Sequence, residues 1–248
     1  MILDIPPPVK GLSVKSRGIS WPTLTKGILV KRYKRFLADV QLLNGQVVTA
    51  HCPNSGSMRG CSEPGQPVYL SWSDNPKRQY RYTWEITAAR TSLVCVNTGV
   101  ANKLVGRSVV EGLIPELAGY QRFHSEVRCG ASRIDIVIEG GERPPCFIEI
   151  KSSTMVEDGV ASFPDAVTTR GLKHLVELQE QVRTGNRAVI FYLIQRTDSL
   201  LFTPADRIDP AYGSELRKAC QNGVEIVCYD VRLTLRSIKL NGPVRHKF

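Results

Sequence analysis

The chain has no Cys-x-x-Cys pair: Cys52, Cys61, Cys95, Cys129, Cys146, Cys220 and Cys228 are scattered along it. That spacing excludes a zinc ribbon and a dithiol redox motif. An odd cysteine count without an export signal predicts reduced thiols and a cytoplasmic location. The opening MILDIPPPVK lacks the basic start and apolar stretch of a secretory leader. No apolar run approaches the roughly 20 residues that span a bilayer; the longest is Ala188–Ile194. Internal repeats and low-complexity segments are absent, and no small-molecule motif supports sugar sensing. Acidic residues are scarce in the first third. Residues 1–90 carry 13 Lys+Arg against 5 Asp+Glu, net +8, and residues 91–248 carry 20 against 18, net +2.

What is present divides the 248 residues into a basic β-rich module and a larger α/β body, placed at 1–88 and 89–248. A concentrated positive field attracts polyanions, nucleic acid before anionic membrane. In the first module, short alternating runs separated by turn formers predict about five strands, a small closed barrel of the OB-fold type. Gly27–Val40 reads as one long strand, and Asn44-Gly45 as a hairpin turn. Pro67–Trp72 and Tyr80–Thr87 read as further strands. On the long strand, Lys31, Tyr33 and Arg35 set a ring between two cations, with Arg32 and Lys34 on the opposite face. Bases stack on such rings while phosphates meet the cations. Lys77 and Arg78, beside Tyr80, repeat the mixture.

In the second module, Asn97–Leu113 carries a helical apolar stripe, and a second helix runs from about Arg170 to Arg183. Ala188–Ile194 is a continuous apolar strand suited to the middle of a sheet. A third helix spans Asp209–Cys220, and Val224–Tyr229 is a last strand. The tail from Arg232 to Phe248 reads as a frayed edge strand or disorder. Helices interleaved with strands predict an α/β sandwich on a central mixed sheet.

The most informative stretch is Ser132–Lys151, SRIDIVIEGGERPPCFIEIK. Alternation puts Ile134, Ile136 and Ile138 on one face and Asp135 on the other. After the turn formers, Ile148 and Ile150 share a face, opposite Glu149 and Lys151. A hairpin centred on Glu142 opposes Ile134 to Ile150, Ile136 to Ile148 and Asp135 to Glu149. Like charges so opposed repel. Either they lie on a solvated face, or a hard divalent cation sits between them.

At these residues the chain resembles the PD-(D/E)XK nuclease superfamily, whose core is an Asp on one strand and Glu-x-Lys on the next. The strings KRYKRFLADV, HCPNSGSM, NPKRQYRYTWE, VNTGVAN, SRIDIVI, IEIKSST, FPDAVTTRGLKHLVEL and IDPAY extend the likeness along nearly the whole chain. Together they resemble the sugar fermentation stimulation protein A family. The resemblance implies an OB-fold joined to a nuclease-like domain, and a DNA-binding protein that raises expression of maltose-metabolism genes. It implies Mg²⁺ or Mn²⁺ at Asp135 and Glu149, with Glu126 as an extra ligand, and Lys151 assisting a nucleophilic water. It also implies that Asp165, Arg170, Lys173 and His174 gather at the same edge, the last three meeting the phosphates of DNA or RNA. The family's glutamate on the first helix corresponds to Arg107 here, with Glu111 one turn later as its substitute. Two functions follow: a DNA-binding metal-dependent nuclease with little sequence preference, or a non-cutting regulator that uses the same fold.

Overall fold

The computed structural model describes residues 2–5, 18–130 and 132–248. Two short strands, β1 (Ile2–Asp4) and β2 (Ile19–Ser20), precede a barrel built from β3 (Leu24–Tyr33), β4 (Leu37–Leu42), β5 (Val47–His51), β6 (Pro67–Trp72) and β7 (Tyr82–Ala88). Adjacent strands pair antiparallel, and a parallel pairing of Ala50 with Tyr82 and His51 with Thr83 closes the cylinder. Alternate residues fill it, so Leu29, Val40, Leu70 and Trp84 are fully buried together. A further strand, β8 (Leu93–Cys95), pairs with β7.

The stretch Gly27–Val40 is two strands rather than one. The chain reverses at Lys34 and Arg35, with φ of 50° and 63°. Neither is Gly or Asn, the residues that ordinarily mark such a reversal, so no turn signal announces it. The expected hairpin at Asn44-Gly45 is present: Gly45 has φ of 85° and Asn44 Oδ1 accepts from the Gln46 amide at 3.1 Å.

The second body follows as α1 (Gly99–Val110), β9 (Arg122–Cys129), β10 (Ser132–Glu139), β11 (Cys146–Ser153), β12 (Met155–Glu157), β13 (Val160–Phe163), α2 (Thr169–Arg183), β14 (Arg187–Ile194), β15 (Leu201–Pro204), α3 (Pro210–Gln221), β16 (Glu225–Leu233), β17 (Ser237–Pro243) and β18 (Arg245–His246). Its main sheet has the order β1-β9-β10-β11-β14-β16-β17-β2. It is mixed: β11, β14 and β16 run parallel, and the flanking pairs are antiparallel. The two earliest strands thus belong to this sheet and not to the barrel. Strands β12, β13, β15 and β18 form a smaller sheet.

Strand β14 lies in the middle, and its alternation separates two cores. Val189, Phe191 and Leu193 pack with Val100, Leu104 and Val105 of α1. Ile190, Tyr192 and Ile194 pack with Leu175 and Leu178 of α2 and with Tyr212 and Leu216 of α3. The tail is ordered, contrary to the sequence expectation. β17 pairs with both β16 and β2, and Ile238 and Leu240 join the α1-side core. Its weak pattern reflects a strand held by tertiary pairing. No helix among the described residues is long and apolar enough to cross a membrane.

Candidate active site

The β10–β11 hairpin has the predicted register where the ladder is regular: Ile136 opposes Ile148, Val137 opposes Phe147 and Ile138 opposes Cys146. The regularity ends at Asp135. Its Oδ2 accepts the Ile150 backbone N–H at 2.8 Å, so the carboxylate takes a bond that an ordinary ladder would give to a carbonyl. Across the other neighbouring strand, Glu126 has φ of 56°, an uncommon and strained backbone state for a glutamate. Either side of this irregularity the alternation changes sense. Ile134 joins the α2-side core while Ile136 and Ile138 face α1. The expected apposition of Ile134 with Ile150 is therefore not made.

This break positions the chemistry. Asp135 Oδ1 accepts from Asn102 Nδ2 of α1 at 2.7 Å, which fixes the carboxylate from the helix side. Glu149, only 3% exposed, receives the Lys151 ammonium on Oε1 at 2.7 Å. The same oxygen meets Nδ1 of His174, a buried residue of α2. Lys151 Nζ lies 3.1 Å from that ring nitrogen. Glu149 Oε2 is buried without a hydrogen-bond partner.

Helix α2 reaches this position through its cap. Thr168 Oγ1 accepts from the Gly171 amide at 3.0 Å, and Asp209 Oδ2 accepts from the Thr168 amide at 2.8 Å. Asp209 Oδ1 caps α3 through the Tyr212 amide at 3.0 Å. One side chain thus ties two helix starts together. Gly171 is required there, because a Cβ would lie 2.7 Å from the Thr168 methyl and 3.0 Å from the Tyr212 ring.

The two acids differ electrostatically. Burial, and then the neighbouring charge of Glu149, push the Asp135 carboxyl up to about 6. Burial also opposes ionisation of Glu149, but the His174 hydrogen bond and the charges of Lys151 and His174 outweigh it and hold that carboxyl below its ordinary value. A folded-state value raised for an acid means that the native state binds more protons than the unfolded chain between about pH 4 and 6. Stability attributable to Asp135 is then lost as pH rises through that window. Asp135→Asn should therefore stabilise the metal-free protein at pH 7.5 by about 3 kcal/mol, with the gain vanishing below about pH 4. Thermal melts of both proteins in EDTA across pH measure this, and a gain independent of pH would contradict it.

The donor chemistry suits a hard cation. Two carboxylates offer oxygen ligands, and the unpartnered Glu149 oxygen is the kind of buried acceptor that a cation would satisfy. Among the described residues, no three His, Cys, Asp or Glu side chains group as a metal cage. Glu126 lines the same cleft. Arg107 and Glu111 pair with each other at 3.0 Å, and Arg107 Nη1 also donates to the Gly18 carbonyl at 2.7 Å. The α1 side chain that reaches Asp135 is Asn102, which residue spacing alone does not single out.

Of these groups, Asn102, Glu126 and Lys151 line a cleft of about 1000 Å³ between barrel and body, together with Arg32, Arg35, Lys103 and Arg170, whereas Asp135 and Glu149 are not among its lining residues. An adjoining hollow adds Arg128, Arg133, Lys173 and His174. Of the predicted nucleic-acid contacts, Arg32, Arg35, Arg170, Lys173 and His174 are thus gathered here. Arg32 has a structural task as well: Nη2 donates to the carbonyls of Arg35, Asn54 and Gly56 at 2.7–2.9 Å. Lys31, Tyr33, Lys34, Lys77 and Arg78 are not among the residues lining either hollow. Lys31 lies 3.6 Å from Asp39 and over the Tyr33 ring, whose hydroxyl donates to Asp39. Arg78 donates to Thr83. The turn at Lys34-Arg35 is the reason, since it separates Arg35 from the face that carries Lys31 and Tyr33.

Comparison with known proteins identifies the barrel and the body. Residues 30–96 match the SfsA N-terminal OB domain, and residues 99–237 match the sugar fermentation stimulation protein RE domain. A sugar fermentation stimulation protein homolog of Geobacter sulfurreducens is 53% identical over 218 residues, covering 88% of this chain and 93% of the relative. A homolog from Acidithiobacillus ferrooxidans is 50% identical over 222 residues, covering 89% and 96%. The solved structure of Pyrococcus furiosus SfsA in complex with Ca²⁺ is 26% identical with a TM-score of 0.85, covering 93% of this chain and 98% of that one. The chain belongs to the sugar fermentation stimulation protein family.

Proposed function

We propose that the protein binds DNA with little regard to sequence and hydrolyses phosphodiester bonds at the Asp135–Glu149–Lys151 site with Mg²⁺ or Mn²⁺. The observation that carries this reading is the meeting of those side chains, through the hairpin and α2, beside a cation-lined cleft. Asp135 and Glu149 would hold the cation, and the Pyrococcus furiosus relative solved with Ca²⁺ supports divalent binding in this family. When bound, such an ion supplies Lewis acidity toward phosphate oxygen and lowers the pKa of water. The chain's own part is positional. Asn102 and the Ile150 amide orient Asp135, His174 and Glu149 hold the Lys151 ammonium, and Arg35, Lys103 and Arg170 draw in phosphates.

The test is incubation of labelled single-stranded DNA, duplex DNA and RNA with Mg²⁺, Mn²⁺ or EDTA. Cleavage is expected only with metal, and intact substrate in every tube removes the hydrolytic reading. A second reading has its own observation: Lys151 and His174 already satisfy one Glu149 oxygen, and among the described residues no three-residue cage is assembled. On that reading the fold grips DNA without cutting and regulates sugar metabolism, in keeping with the relatives' name.

Both readings predict binding that weakens log-linearly with salt. Arg35→Ala should weaken binding across sequences alike and reduce the salt slope by about 1. Lys31→Ala, whose ammonium is engaged by Asp39, should change the slope little. Anisotropy titrations over a salt series check both, and equal effects of the two would move the footprint out of the cleft.

A further inference from the structure

The cleft is bounded by two segments that touch. The barrel loop after β5 is braced internally: Asn54 Oδ1 accepts from the Gly56 amide at 2.9 Å, and Arg32 holds the loop carbonyls from behind. The tip of this loop meets the segment before α2. Ser57 Oγ donates to the Asp165 carbonyl at 2.6 Å, and the Met58 amide donates to Asp165 Oδ2 at 2.8 Å. The fit leaves no spare room, since a Cβ at Gly56 would lie 2.5 Å from Asp165 Oδ1. Barrel and body are thus clasped at the side of the cleft, whose lining continues through Asn102 and Lys103 of α1 and Ile150–Thr154 of β11 and the residue after it.

Size and lining then restrict what can reach Lys151. A volume of about 1000 Å³ is at the upper end of the range that encloses one small ligand. The cleft continues into the adjoining hollow, with Glu126 and Arg170 lining both, a course that a flexible single strand can follow. A duplex is bulkier and far stiffer, with a persistence length of about 50 nm, so segments that clasp beside Lys151 act against it more than against one strand. The lining is cationic, and its one exposed large apolar side chain is Val167, 75% exposed. It offers phosphates partners and bases only a generic apolar contact, which fits recognition that tolerates any sequence.

We propose that the site admits a single polynucleotide strand, and that the clasp of Gly56, Ser57 and Met58 on Asp165 excludes the duplex. The inference rests on reading the cleft as a nucleic-acid site and names the form of its substrate. The test is equilibrium binding by fluorescence anisotropy in EDTA, comparing a short single-stranded DNA with its blunt duplex. The single strand should bind at least about tenfold more tightly, and Lys103→Glu in the cleft should weaken it while changing duplex binding little. Gly56→Ala and Asp165→Ala, each checked for folding by its melting curve, should bring the preference within about threefold by admitting the duplex. Duplex binding as tight as single-strand binding in the unaltered protein overturns the proposal. So does a preference unmoved in both folded clasp variants, or no binding of either form. If the preference appears but Mg²⁺ and Mn²⁺ give no cleavage, hydrolysis fails and strand selection stands. Equal cleavage and binding of both forms has the opposite meaning.

Discussion

Lys151→Ala should lower metal-dependent DNA cleavage by about 10²–10⁴-fold while leaving affinity for DNA within about threefold. The asymmetry follows from where the ammonium sits. Its side chain is 11% exposed and 2.7 Å from Glu149 Oε1, with His174 Nδ1 3.1 Å away. It is therefore a preorganised charge in a site of low dielectric, where a positive group acts strongly on a developing oxyanion. Arg35, Lys103 and Arg170 remain in the variant to hold the phosphate chain. The substitution also removes a cation that keeps the buried Glu149 ionised, so the variant should melt at a different temperature from the native protein. Single-turnover cleavage and anisotropy on the same preparation separate the two effects. Equal rates for variant and native protein would remove Lys151 from the chemistry.

Arg196→Met should destabilise the protein by about 3 kcal/mol, lowering the melting temperature by about 6–12 °C. Arg196 is 4% exposed and pairs with both oxygens of Asp198 at 2.9 and 2.7 Å. It also donates to the Thr154 carbonyl at 3.2 Å, next to the buried Cys61 of the barrel side, whose thiol donates to that same carbonyl. Asp198 accepts from Thr91 Oγ1 at 2.5 Å, so this guanidinium stands where linker, barrel and body join. Methionine would match much of its volume but leave Asp198 with an uncompensated charge and Thr154 with a lost donor. Calorimetry on both proteins checks the value, and an unshifted melting temperature would show that the pair contributes nothing net.

The hairpin was legible in the sequence from Ile136 to Ile148, where alternating apolar residues and a turn-rich centre favour one register, although Ile134 falls on the other face. What could not be read was the break at Asp135. It arises from a side chain accepting a backbone N–H on the next strand and from the positive φ of Glu126, and neither leaves a pattern in residue type. The helices were visible from apolar spacing, yet spacing does not say that Asn102 is the side chain of α1 that reaches the acids. Periodicity along the basic stretch fails for a similar reason. With Lys34 and Arg35 in left-handed conformations, residues that share parity along one strand end up on different surfaces. Arg32 and Arg35 thus replace Lys31 and Tyr33 at the cleft. The likeness carried by FPDAVTTRGLKHL held the information that periodicity lacked, since Asp165, Arg170, Lys173 and His174 do line one region.

The placing of the first two strands has a consequence for how this molecule is handled. β1 lies against β9 at one rim of the main sheet, and β2 lies against β17 at the other. A polypeptide shortened to begin after Ser20 would uncover both rims at once, each with a row of unanswered amide and carbonyl groups able to recruit another copy. Expression of that truncated chain should give insoluble or self-associated material even though every side chain of the cleft is retained.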